Sequence, residues 1–243
     1  MKIQLIVVIV LTNLALSAQT FVDIPWREGM IKKDGQEMPG MIRLGGDLGA
    51  PWLNHSKVYF VTSENYTSAK NHPGKKVIVE YSPEDIQGYS TYTEDKDKNH
   101  IDLKYTSGEV TYMDGLAKKK QVVFLQDQYQ GAVMVYTYIP MAEKESTAQM
   151  QYEAGQNAIN HTVTFLKKGD GPYVIAGDTE LSDFLSECPD VVSKIKAGTY
   201  GFYDLSQRPK KKGLGKIMSL QAGHNELENK IAQAVIDYNQ CVK

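Results

Sequence analysis

The stretch "RPKKKGLGK", residues 208–216, places five positive charges and two glycines in nine residues. Charge and backbone freedom together are what a phosphate-gripping loop uses, so that chemistry is considered first. A Walker-type loop needs glycine, four residues, Gly-Lys and then Ser or Thr, set between a strand and a helix. Here Lys210 stands five before Gly215, Ile217 follows Lys216, and helical patterns flank the stretch on both sides. The motif fails on each count. What remains is a solvated cationic loop or, as the alternative, polyanion or acidic-glycan contact through Arg208, Lys210, Lys211, Lys212 and Lys216. Lys118, Lys119 and Lys120 would add to such a patch only if the fold brought them near. No aromatic residue interleaves with these cations, which argues against nucleic acid.

The other chemistry-bearing residues are dispersed. Histidines at 55, 72, 100, 161 and 224 lack a second ligand at metal spacing, so no metal or cofactor is expected. No Gly-x-Ser-x-Gly elbow is present. "GGDLG" at 45–49 lacks the spacing and following helix of a dinucleotide fingerprint and reads as a turn. Glu84 and Asp85 fit helix capping; Asp95 and Asp97 fit a solvated loop. Asn54, Asn65 and Asn160 begin Asn-x-Ser/Thr sequons. Glycosidase carboxylates can come from distant strands. A glycan or peptide hydrolase with dispersed carboxylates is therefore the alternative to the favoured function, a non-enzymatic ligand- or partner-binding domain.

The elements that would position these residues follow from patterning. Residues 1–18 place Lys2 before an apolar core from Leu5 to Leu11, then small residues at Ala15, Ser17 and Ala18. That is the order of a secretory signal peptide. A bilayer span needs about 20 apolar residues, and Thr12 and Asn13 interrupt this run, so no transmembrane anchor is expected. The expected address is across the inner membrane, periplasmic or extracellular. A net charge of −2 gives no global pull toward nucleic acid or anionic membrane. In an exported chain the two cysteines, Cys188 and Cys241, predict one disulfide, which the chain-entropy model values at about 4 kcal/mol.

"GMIKKDGQEMPGMIRL" predicts a hairpin turning at Asp34-Gly35, pairing Lys33 with Gln36, Lys32 with Glu37, Ile31 with Met38 and Met30 with Pro39. Pro39 marks an edge on its other side. Further strands are predicted at 57–63, 75–82, 88–93, 100–107, 121–127, 132–139, 161–169 and 171–177, with one helical turn capped by Ser82. "VVFL" and "AVMVYTYI" are apolar on both faces and read as central strands. After Gly177 the period changes. A helix capped by Asp178 carries Leu181, Phe184, Leu185 and Cys188, a second opens at Pro189 and stops at Gly198, and a third spans 225–241. The class is α+β: an antiparallel β sandwich or open barrel over 19–177, covered by a C-terminal helical cap over 178–243 on the same core.

"KDGQEMPGMI", "NHSKVYF", "YSPEDIQGY", "FLSECPDVVSKI" and "YNQCV" occur in that order. The series resembles a loose family of exported, functionally uncharacterised proteins of Gram-negative, Bacteroidetes-type bacteria. The resemblance implies export and a shared fold; separately, an envelope protein or glycan is the partner expected of such a binding domain. It carries over no catalytic or binding residue, and the lysine-rich loop looks like an individual elaboration.

Overall fold

The computed structural model describes residues 24–46, 50–94, 97–114, 117–140, 153–154, 158–207 and 230–243. The expected leader at 1–18 and all of 208–216 lie outside these residues, as does the expected start of the last helix. Ten strands form one open sheet in the order β10-β9-β8-β7-β6-β5-β1-β2-β3-β4, every neighbouring pair antiparallel. The class is therefore α+β, as patterning implied, with the strands in a single continuous sheet.

β1 (Arg27–Lys33) and β2 (Gln36–Leu44) pair in the register read from the turn, Lys33 with Gln36 through Met30 with Pro39. Asp34 and Gly35 adopt φ of 51° and 77°, the positive values that a tight hairpin turn requires. β3 (Val58–Thr62) pairs β2 only from Gly40 onward, so β2 is internal there and an edge at Pro39. The proline sits where its missing N–H is not needed. Thr62 then caps α1 (Ser63–Ser68), a helix the strand patterning did not anticipate. The strand expected at 75–82 shrinks to β4 (Val79–Tyr81), because a turn at Gly74–Val77 diverts the chain.

β5 (Gly88–Glu94) leads into a long hairpin, β6 (His100–Asp114) and β7 (Ala117–Tyr129), both longer than expected. β7 buries Phe124 on one face and Val123 and Leu125 on the other. In β8 (Val133–Tyr138), Val133 and Val135 face away from Tyr136 and Tyr138, and all four are buried. Both are covered on two sides, as their composition implied. β9 (Val163–Lys168) and the two-residue β10 (Val174–Ile175) complete the sheet. The sheet curls enough that Tyr173 packs over Gly108 of β6, where a Cβ would stand 2.6 Å from the ring.

The C-terminal helices cover one face. Leu181, Leu185, Cys188, Val191, Ile195, Ile231, Ala234, Val235 and Tyr238 form one cluster with Val133, Val135 and Leu166 of the sheet. The first of them differs from expectation. Asp178 closes a 3₁₀ turn, and α2 (Leu181–Phe184) starts later, its Leu181 and Ser182 N–H groups donating to the buried Asp204 carboxylate at 2.8 and 2.9 Å. The cap thus comes from a distant loop, which spacing along the helix cannot reveal. α3 (Pro189–Lys196) opens on Pro189, and Gly198 follows at φ 68°. The last helix, α4, runs over 230–241 among the described residues. Cys188 and Cys241 are disulfide-bonded, with Cα atoms 6.1 Å apart.

Candidate functional site

Strand alternation divides the β1-β2-β5-β6 region into a core face and an open face. Ile31, Ile42, Leu44, Phe60, Tyr89, Leu103 and Tyr105 point into the core. The alternate positions line a trough of about 1030 Å³: Glu28 and Met30 of β1, Pro39 and Met41 of β2, Ser90 and Tyr92 of β5, Asp102 and Lys104 of β6. Ser63, Tyr66 and Thr67 of α1, with Asn71 just beyond it, line it too. Met30 is 40 % exposed, a large apolar side chain left in water at the middle of a sheet. Tyr92 stacks on His100 at 4.4 Å, and His100 Nε2 lies 2.8 Å from Asp102 Oδ1.

The pairing of Met30 with Ser90, and of Ser90 with Lys104, places these three in one row across the strands. Continuing that register brings Glu28, Tyr92 and Asp102 into the next row. The two carboxylates thus stand on strands flanking β5, roughly 10 Å apart by two strand spacings. Asp102 is solvated, its side chain 91 % exposed. Asp127 differs: its side chain is 4 % exposed, and burial raises its pKa against the pull of the Thr106 hydroxyl at 2.8 Å and of Lys104.

A second, smaller cavity of about 310 Å³ opens where β8 leaves β7. Trp52, His55, Glu84, Tyr112, Gln121 and Tyr138 are among its walls. Gln121 Nε2 donates to the hydroxyls of Tyr112 and Tyr138, at 3.0 and 2.6 Å. His55, on the 3₁₀ turn Pro51–His55, is buried between Tyr105 and Tyr138. Its Nδ1 donates to the Phe124 carbonyl at 2.5 Å, and its Nε2 accepts from the Ile139 N–H at 3.3 Å. Extending the β7–β8 register pairs Phe124 with Ile139. The imidazole therefore stands in for the ladder bond lost as the strands part. Burial lowers its pKa from 6.5 to about 4, the Phe124 bond opposing.

Sequence reasoning placed its candidate cations elsewhere. Arg208, Lys210, Lys211, Lys212 and Lys216 lie outside the described residues, while Lys118, Lys119 and Lys120 are exposed on β7. Asp85 caps the Ser82 turn, accepting from its N–H at 2.8 Å and its hydroxyl at 2.7 Å, while Glu84 turns to the smaller cavity. Asn54 is buried, its Oδ1 accepting from the Gly46 N–H at 2.8 Å, so the folded chain does not present that sequon. Among the described residues no three metal-type ligands cluster, and no helix is long and apolar enough to cross a membrane. The trough residues were missed individually. Their signal was the polar and exposed partners alternating with "MI" and "YSTY", legible only once each strand's core face is known. No protein family, curated protein or solved structure matches the chain.

Proposed function

We propose that this is an exported, non-enzymatic binding domain of the cell envelope whose open sheet face holds an extended glycan. The observation that carries the reading is the trough. Met30, Met41 and Pro39 give it an apolar floor suited to the C–H faces of sugar rings, and Glu28, Asn71, Ser90, Asp102 and Lys104 ring that floor with hydroxyl-pairing groups. All of these groups but Asn71 sit on paired strands, so they are positioned before a ligand arrives and little ordering cost falls on binding. The leader and the disulfide support export.

Frontal affinity measurement on immobilised envelope glycans tests this. The mature chain is expected to be retarded, and Met30→Glu, which puts a charge on the floor, to lose at least tenfold in affinity. Passage of the wild type through every glycan column without retardation would overturn the proposal. Glu28 and Asp102, on one face of the sheet and on the two strands that flank β5, suit one second reading, a hydrolase that uses carboxylates from separate strands. Release of reducing ends that Glu28→Gln abolishes would replace binding with hydrolysis.

A further inference from the structure

Beyond the glycan trough, we infer that the outer edge of β7 at residues 118–122 accepts an acidic extended peptide of another protein as an added strand. In the β6–β7 ladder the Ser107–Phe124 pair is an open one: Ser107 N–H bonds Gln87 at 2.8 Å, and the Phe124 carbonyl bonds His55 on the other side. Alternation then turns the N–H and C=O of Val122, Lys120 and Lys118 away from β6. β8 has left by Ile139, and no described residue bonds these outward groups. The cavity beside Val122, walled by Trp52, Tyr112 and Tyr138, is the pocket that a strand-adding peptide uses for one side chain.

Charge selects the occupant. Lys118, Lys119 and Lys120 are exposed along this edge, with Glu109 2.8 Å from Lys120 and Glu84 lining the cavity, three cations to two carboxylates. A second copy would bring its own lysine run against this one, and like charges across strands repel. A peptide bearing glutamate is attracted instead.

The test uses a ten-residue peptide alternating valine and glutamate, added to the mature isotope-labelled protein, with amide hydrogen exchange read by residue. Exchange at Lys118, Lys120 and Val122 is expected to slow at least tenfold, and the same peptide with lysine for glutamate to leave it unchanged. Val122→Pro removes an N–H that β6 does not use, so binding is expected to fall at least tenfold while the unfolding midpoint holds. Unslowed exchange at these amides in the wild type would overturn the inference. So would undiminished binding by a folded Val122→Pro variant, or protection that grows with protein concentration alone, which would make the occupant a second copy.

Discussion

His55 is a structural group whose chemistry is legible only from its partners. With Nδ1–H donating to Phe124 and Nε2 accepting from Ile139, both bonds require the neutral ring, and a proton on Nε2 would break the second. Because the folded pKa of about 4 lies below the unfolded value of 6.5, the unfolded chain binds the proton more tightly. The contribution is complete above pH 6.5 and is lost as pH falls toward 4: roughly 2 kcal/mol by pH 5 and about 3 kcal/mol at pH 4. Asp127 acts in the opposite sense, since its raised pKa favours the protonated form on acidification. Comparing variants isolates the histidine. His55→Gln keeps a donor and an acceptor but does not titrate, so between pH 7.5 and 5.0 the wild type is expected to lose about 2 kcal/mol more than this variant in urea unfolding. Equal losses in the two proteins would show that His55 does not titrate as its burial requires. A lone histidine in "LNHSK" gave no hint of this role, because the site exists only where two distant strands separate.

At the scale of elements, β8 shows how a short ladder is completed by side chains at both ends. Its β7 pairing covers Val135 to Thr137 and carries a bulge. Beyond one end stands His55; at the other, Asn239 of α4 accepts from the Val133 N–H at 2.8 Å and donates to its carbonyl at 2.7 Å. Asn239→Ala leaves two buried backbone groups unpaired and is expected to cost about 2–3 kcal/mol. In amide exchange, protection at Val133 should fall more than at Phe165; an equal fall at both would place the effect outside this clamp. Asp204→Ala removes the acceptor for two α2 amides and is expected to cost about 1–2 kcal/mol in thermal or urea unfolding. No change in the midpoint would show that water serves the cap equally well. Local signals wrote some elements plainly. The Asp34-Gly35 turn dictated its own register, and Pro189 opened α3 where it stood. Other extents depended on partners. "AKKK" is a weak strand former, and in "GEVTYMD" a glycine, a glutamate and an aspartate flank the strand-forming "VTY", yet each supplies the other's hydrogen bonds in β6 and β7. The late start of α2 likewise reflects Asp204, a tertiary cap outweighing the local one at Asp178.

Across the whole molecule, the division of labour follows from one open sheet. Its outermost strands are short, three residues in β4 and two in β10, which limits edge pairing at the flanks. The helices close one face near β8 and β9, and the trough stays open on the sheet's other side. Two kinds of tie hold the helices down. Asn239 on Val133 joins them to the sheet, as does Lys168, which bonds the Phe184 carbonyl at 3.2 Å and pairs with Glu187 beside the Tyr238 hydroxyl. The disulfide is different, because Cys188 at the start of α3 and Cys241 at the end of α4 join helix to helix. Its stabilisation therefore acts chiefly on the unfolded chain, by shortening the ensemble that folding must order. Cys188→Ala with Cys241→Ala is expected to lower unfolding free energy by about 4 kcal/mol while the native circular dichroism persists. Because the bridge does not hold the sheet contact, the cost of Asn239→Ala should be the same with the disulfide and without it, within about 0.5 kcal/mol. A double-mutant cycle by urea unfolding measures this. Coupling well above 1 kcal/mol would mean that the bridge holds α4 on β8 directly, and its role would then lie in the folded state.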